Sequence, residues 1–322
     1  NIHYRTVPRR WRRPVLNMLW HLLLLPWQLR RRRYDGVLLP AANRRALLFC
    51  RIFTVAVVHD LSQYHIPAKY DWFRMFYIKR ILPWCVRRAD RIVAVSKSTA
   101  TDLHQCWHLP ADKITVIYNG YDHRHFRPEA APGETEMLPD NLPEHYLLYI
   151  SRIEHPGKNH LNLLRAYELL PRELRQQYAL VLAGKVWPGA EPVLDYAAES
   201  PAREEIHFIG FVPEEQMPAL YRHAALYVFP SLFEGFGLSL PEAMACGTPT
   251  VCSNTSSLAE IGGDAVLTFP PESPERMAAA IIRALTEPEL RQQMIERGLQ
   301  RVKIFDWDHH AAVLAELYEN QS

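Results

Sequence analysis

The sequence predicts an α/β fold made of two doubly wound units of parallel sheet. Three observations carry this. Apolar, β-branched runs alternate with helical patterns along the chain. The length of 322 residues suits two domains rather than one. The charge also divides. Residues 1–128 hold 23 Lys and Arg against 7 Asp and Glu, a balance of +16. Residues 129–322 hold 14 against 28, a balance of −14, and the two make the net +2.

A chain 48% hydrophobic and 22% charged can bury a sizeable core and is not a disordered polypeptide. The five cysteines are scattered without a CxxC, the pattern of reduced thiols in a cytosolic protein rather than a disulfide framework. The basic half suits an anionic membrane surface or a phosphate-bearing acceptor. No nucleic-acid-binding motif is recognised, and no nucleic-acid partner is expected. The chain opens on Asn1 and runs into PRRWRRPV, so a missing N-terminal stretch is expected.

The elements follow in order. VLNMLWHLLLLPW (15–27) is an apolar helix bounded by arginines. At 13 residues it falls short of the ~20 that span a bilayer, and Pro26 is expected to end it. It packs on a sheet, or it touches an anionic membrane with help from Arg30 to Arg33. IFTVAVVHD (52–60) is a continuous apolar run ending in polar groups, as a buried parallel strand requires. Residues 69–89 are helical in pattern, with a kink expected at Pro83. RIVAV (91–95) is a strand, Ser96 caps the next helix, and KITVIYNG (113–120) is a strand closing on Asn-Gly.

Residues 127–143 hold four prolines and read as a linker between a first domain (1–126) and a second (144–304). In the second, strands at 145–151, 178–184, 206–210, 226–230 and 249–253 alternate with helices at 160–170, 193–200, 215–224 and 240–246. Such alternation implies right-handed crossovers and ligands beyond the carboxyl ends of the strands.

Four second-domain loops there carry polar chemistry. They are SRIEHPGKN with Arg152 and Lys158, Gly184-Lys185, Gly210-Phe211-Val212, and FEGFGLSLPEA (233–243). In the last, Gly235 and Gly237 permit a tight turn with positive φ. The helix start adds unpaired N–H groups and partial positive charge, an anion site suited to phosphate. Arg152 and Lys158 would complete it with charge-assisted hydrogen bonds. Glu234 and Glu242 flank this site, and ionised carboxylates only accept hydrogen bonds. They fit if each faces sugar hydroxyls, ribose on one side and hexose on the other. Plainer readings exist for each residue. Ser239-Leu240-Pro241-Glu242 matches a capping box, Glu234 a solvated acid, Arg152 and Lys158 surface charge. The conjunction favours a nucleotide-sugar.

These residues resemble a known family. SRIEHPGKN, GFVPEEQMPALYRHAALYVFPSLFEGFGLSLPEAMACGTPTVCSN and SSLAEIGGDA are similar to the retaining glycosyltransferases of family 4, and Glu234 with Glu242 matches their E-x7-E motif. IYNGYD, VVHD and RIVAVSKSTATDL extend the likeness, which covers about 35–315. The resemblance implies a GT-B fold, two Rossmann-like domains facing across a cleft. It implies that 305–322 is a closing helix packed back on the N-terminal domain. It implies that Arg152 and Lys158 bind the donor diphosphate and that Glu234, with the backbone of Gly235, Phe236 and Gly237, holds the transferred sugar. The Leu238 amide would reach the β-phosphate, Glu242 the ribose, and the backbone at Phe211 and Val212 the base. His59 would face the donor sugar from the other domain, although by itself it reads as a satisfied core histidine. Two departures are visible. Pro156-Gly157 lengthens the Arg-to-Lys spacing, and the family's leading strand and glycine-rich loop are absent, so the N-terminal domain is expected to lack roughly sixty residues.

The reaction so implied is hexosyl transfer with retention, from GDP-mannose or a UDP-hexose to a saccharide or polyprenyl-diphosphate-linked saccharide. The expected setting is the cytoplasm or the inner face of the plasma membrane. Neither metal nor cofactor is expected. Asp306-Trp307-Asp308 reads as a helix start, and His123 and His125 as surface residues. The alternatives are a non-catalytic homologue that binds nucleotide or scaffolds polysaccharide assembly, and, below it, a sugar-nucleotide epimerase.

Overall fold

The computed structural model describes residues 11, 13–31, 34–66, 72–130, 133–134, 138–139 and 142–320. They divide into two units, Asn1–Tyr118 with Asp308–Ser322, and Asn119–Trp307.

In the first unit four parallel strands lie in sequence order: β1 (Gly36–Leu39), β2 (Phe53–Val58), β3 (Arg91–Ala94) and β4 (Ile114–Val116). Val55 of β2 is in register with Arg91 of β3. β2 and β3 are buried almost throughout, which is why they read as unbroken apolar runs. β1 was not anticipated, and β4 is shorter than 113–120. Around the sheet run α1 (Pro14–Leu19) and α2 (Leu25–Arg30), α3 (Trp72–Phe76) and α4 (Leu82–Val86), and α5 (Lys97–Trp107). Ser96 caps α5 as expected, its Oγ accepting from the Thr99 amide at 3.0 Å.

Pro26 does not end its helix, and helical backbone also runs on through Pro83. A π-helical turn, Trp20–Leu24, joins α1 to α2, and another, Tyr77–Ile81, joins α3 to α4. Each proline stands just inside the segment after the π turn. Proline lacks an N–H and its ring crowds the carbonyl four residues back. The wider turn relieves that crowding, so helical backbone continues across it. Leu22, Leu39, Val58, Leu82, Ile92 and Trp107 share one core.

The second unit has six parallel strands: β5 (Tyr146–Ile150), β6 (Ala179–Ala183), β7 (Ile206–Gly210), β8 (Leu226–Phe229), β9 (Thr250–Ser253) and β10 (Leu267–Phe269). Their order is β10-β9-β8-β5-β6-β7. The crossing helices are α6 (His160–Glu168), α7 (Arg172–Gln177), α8 (Glu191–Glu199), α9 (Met217–His223), α10 (Ser239–Ala245), α11 (Leu258–Gly262), α12 (Pro274–Thr286) and α13 (Pro288–Arg301). The winding reverses between β5 and β8, so a crevice opens at their carboxyl ends. The described part of 127–143 belongs to this unit. Buried Glu134 accepts from Arg222 Nε at 2.8 Å and pairs again with its terminal nitrogen.

A last helix, α14 (Trp307–Glu319), joins the first unit from Asp308 onward. There the Tyr318 ring meets Phe53 edge-on at 5.6 Å, and His310 Nδ1 donates to the Tyr118 carbonyl at 2.8 Å. No helix among the described residues is long and apolar enough to cross a membrane.

Candidate active site

The loops at the switch point fold as their sequences require. After β5 the chain passes through Arg152 to Lys158 and enters α6 at Asn159, a left-handed residue with φ 60°. Asn159 Nδ2 donates to the carbonyls of Pro230 and Pro271, at 2.9 and 2.7 Å, tying this loop to β8 and β10. His160 is buried, and its Nδ1 donates to the Glu154 carbonyl at 3.2 Å. That leaves Nε2 as the acceptor for Ser151 Oγ at 3.2 Å. Burial pushes His160 down to about 4, so the ring is neutral at physiological pH. A neutral ring can hold both ends of the loop; an imidazolium could not accept from Ser151.

Gly184, after β6, has φ +143° and packs against Ser151, whose carbonyl oxygen lies 1.8 Å from where a Cβ would stand. Only glycine lets these two loops approach. Beyond the strand ends is a cavity of about 530 Å³. Arg152, Phe211, Val212 and Glu242 line it, all expected site residues, together with Lys185, Trp187 and Glu214. The Arg152 guanidinium lies 5.2 Å from the Trp187 ring centroid, and Lys185 Nζ 4.9 Å from that of Phe211. Cations and exposed rings thus face one hollow, a setting for a flat heterocycle and its phosphates. A wider hollow of about 660 Å³ on α13 is lined by Asp264, Arg297 and Arg301. Those groups are spent on one another and on backbone carbonyls, and the hollow lies away from the strand ends.

Glu242 is not a capping acid. Ser239 is already inside α10, whose N-cap is Leu238 with no side-chain cap, so the capping-box reading fails. Instead Glu242 turns towards the cavity, and the Tyr221 hydroxyl donates to its Oε2 at 3.2 Å. Burial pushes its carboxyl up to about 7, the Tyr221 bond opposing and nearby Glu214 adding.

Lys158 and Glu234 are not among the residues lining that cavity; they pair with each other, Nζ to Oε1 at 2.6 Å. Burial acts to lower the Lys158 pKa, but the Glu234 charge opposes it and the net shift is upward. Glu234 is further fixed through its backbone, its amide donating to Ser256 Oγ and its carbonyl accepting from Ser257 Oγ, both at 2.9 Å. Glu242 and Glu234 both act on the buried Tyr227 phenol, pushed well up first by burial, then also by those two charges.

The glycine turn also differs in detail. Positive φ occurs at Gly237 (+82°) and not at Gly235. A Cβ on Gly237 would come within 2.6 Å of Leu258, so close packing also requires it. Phe236 is buried, its ring edge-on to Phe305 at 5.5 Å. Leu238 stands exposed at the head of α10. In the first unit, half-buried His59 follows β2 and donates from Nε2 to the Pro40 carbonyl at 2.7 Å.

Sequence reasoning named the Gly184-Lys185 loop without giving Lys185 a role, and missed Trp187 and Tyr221 as site residues and His160, Ser256 and Ser257 as supports. His125, read as a surface residue, donates from Nε2 to the Glu214 carbonyl at 2.8 Å in an exposed hydrogen bond. Among the described residues, His65, Asp102 and Cys106 bring potential metal-ligand atoms within 4.8 Å of one another. Burial pushes both Asp102 and Cys106 up, and His65 pairs with Asp102 at 2.9 Å.

Comparison with known proteins bears on this arrangement. The family model "Glycosyl transferases group 1" matches residues 136–301, and "Glycosyltransferase Family 4" matches residues 1–125. The O-antigen chain mannosyltransferase B of Escherichia coli is 35% identical over 258 residues, 79% of this chain and 67% of that one. The serotype-specific mannosyltransferase WbdA of Escherichia coli is 33% identical over 270 residues, 82% of this chain and 33% of that one. The chain therefore spans about two thirds of the first relative and about a third of the second. Among solved structures, sucrose-phosphate synthase from Thermosynechococcus elongatus superposes with a TM-score of 0.71 at 25% identity, over 92% of this chain and 70% of that one. The two parallel sheets are those of the GT-B fold.

Proposed function

The chain belongs to the glycosyltransferases of group 1, and from that premise we propose that it transfers mannose from GDP-mannose, with retention, to a saccharide or lipid-linked saccharide in surface-polysaccharide assembly. The observation that carries this is a cavity beyond the ends of β5, β6 and β7, lined by Arg152, Glu242, Phe211 and Trp187 together. The mannosyltransferase names of the relatives support mannose over other hexoses.

In this reading the base lies against Phe211 and Val212, the ribose hydroxyls donate to Glu242, and Arg152 holds the diphosphate. Lys158 and Glu234 mark the sugar end. Lys158 stabilises the charge that develops on the departing phosphate, a role worth most where water is excluded. Glu234, held by Lys158 and by Ser256 and Ser257, accepts from the sugar hydroxyls. The acceptor hydroxyl attacks on the face the leaving group vacates, and the departing phosphate takes its proton. Two cationic side chains carry the phosphate charge, so transfer is expected to survive chelator. The basic first unit makes peripheral contact with an anionic membrane through the 15–27 segment, at the inner face of the plasma membrane. Of its Arg30–Arg33 run, Arg32 and Arg33 lie outside the described residues.

The test is transfer of radiolabelled sugar from GDP-mannose and from UDP-hexoses to a lipid-linked acceptor, with the anomeric configuration read by NMR. Label passing from GDP-mannose into an α-linked product supports the proposal. Nucleotide binding without transfer would favour the non-catalytic alternative, and an inverted product would refute retention.

A further inference from the structure

The donor site leaves one cluster of side chains in the first unit unused. His65, Asp102 and Cys106 each offer one ligand atom, an imidazole nitrogen, a carboxylate oxygen and a sulfur, and the three lie within 4.8 Å of one another. Asp102 and Cys106 stand four residues apart on α5, so one helical turn brings both to the same face. His65 comes from a different element. It ends the short turn Ser62–Tyr64 that follows β2.

That turn is already tied to α5. The Thr99 hydroxyl donates to the His59 carbonyl at 3.3 Å, and Trp107 Nε1 donates to the Tyr64 hydroxyl at 3.0 Å. Thr99 and Trp107 bracket Asp102 and Cys106 along the helix, so the fold brings the imidazole to this face before any ligand arrives. Burial is graded across the set. Asp102 is buried, Cys106 half-buried and His65 exposed, which gives an ion a way in from solvent past the imidazole.

The donor types decide which cation suits. Calcium and magnesium take oxygen ligands and are poorly served by a thiol and an imidazole. Nitrogen, oxygen and sulfur from one residue each make a mixed set that zinc accepts. Bonds of about 2.0–2.3 Å place the ligands of a tetrahedral zinc about 3.3–3.8 Å apart. Here His65 Nε2 and Asp102 Oδ2 stand at 2.9 Å and no pair exceeds 4.8 Å, so the set straddles that spacing. A swing of the exposed imidazole adjusts it.

We propose that His65, Asp102 and Cys106 form a zinc site, with water in the fourth position, that pins the turn after β2 to α5. The Cys106 thiol releases its proton to solvent as the Zn–S bond forms, and no electron changes hands. None of the three residues lines the donor cavity. The site goes beyond the transfer proposed above and does not depend on it. The rival arrangement is a plain His65–Asp102 ion pair beside a neutral thiol, with no particular affinity for metal.

The test is zinc titration of the untagged full chain, stripped with chelator and kept reduced, in competition with a chromophoric chelator. Cobalt(II) serves as the spectroscopic stand-in. The ligand variants are Cys106→Ser and His65→Ala, and Cys50→Ser, another half-buried cysteine, is the control. The wild type is expected to take up one equivalent of zinc, and its cobalt form to show a thiolate-to-metal charge-transfer band. Each ligand variant should weaken zinc binding at least about tenfold, and Cys106→Ser should abolish the band. The control should change neither. Zinc should raise the thermal midpoint of the wild type and the control only. In the wild type it should also slow alkylation of Cys106 by iodoacetamide, a measurement that needs no variant. GDP affinity is expected to be equal in all four proteins, with or without zinc, so failure here is distinct from failure of the donor site. No saturable zinc uptake by the wild type, or uptake that both ligand variants leave unchanged, overturns the site. A cobalt form without the thiolate band overturns it as well.

Discussion

The two units are built on the same kind of parallel sheet and put their side chains to opposite uses. The second gathers polar groups inward, to the crevice where its strand order reverses, and surrounds them with buried tyrosines and a neutral histidine. The first leaves its rings and cations outside, on helices whose inner faces make an ordinary core. A repeated topology thus carries no function by itself. Function follows from which loops hold charge and whether that charge is buried or exposed.

Four changes sharpen that contrast, from the largest effect to the smallest. Glu234→Ala should lower transfer at least about 100-fold, as removal of a positioned polar group at a reacting centre does. Glu234 is not among the cavity-lining residues, so nucleotide affinity should stay within about threefold; steady-state kinetics beside calorimetry separates the two. Glu134→Ala leaves Arg222 buried without its carboxylate and should cost about 3 kcal/mol in denaturant unfolding, with melting of the second unit first.

Glu242→Gln should act in a pH-dependent way. The folded carboxyl titrates near 7 against an ordinary 4.5, so the native state holds its proton more tightly than the unfolded chain. The stability cost of ionisation then grows as pH rises from 4.5 to 7 and is complete above 7. The variant should gain about 3 kcal/mol over wild type at pH 8 and nothing at pH 4. Nucleotide affinity should move the opposite way, the wild type gaining over the variant as pH rises through 7. Ser96→Ala removes the α5 cap and should cost about 1 kcal/mol by thermal unfolding. Lying in the first unit, it should leave nucleotide affinity untouched; a change there would break the separation between the units.

Much of this was legible in the residues. The apolar runs of β2, β3, β5, β6 and β8 announce buried strands, and Ser96 announces its cap. Arg152, Phe211, Val212 and Glu242 were assigned from loop position, and all four line one cavity. What escaped did so for physical reasons. β1 and β10 are short edge strands and only partly buried, so neither shows the fully buried run of β3 or β8. The π turns before Pro26 and Pro83 are invisible because the same residues also suit a helix that breaks. The capping box at Ser239 has the right spacing and no cap, because Gly237 starts the turn and Leu238 takes the cap position. Trp187 lies just past the Gly184-Lys185 loop the sequence singled out, and Lys185 gains a role only where its Nζ meets the Phe211 ring. The pairing of Lys158 with Glu234 was hidden, since spacing does not say whether opposite charges meet a ligand or each other.

The central claim is that the loops after β5, β6 and β7, with Glu242 of α10, hold a nucleoside diphosphate. Calorimetric titration of GDP into the wild type and into Arg152→Ala tests it most directly. The account predicts one saturable site, weakened about 10- to 100-fold in the variant by loss of a charge-assisted contact, with the thermal midpoint unchanged. Equal affinity in the two proteins, or no saturable heat with GDP or UDP, would contradict it.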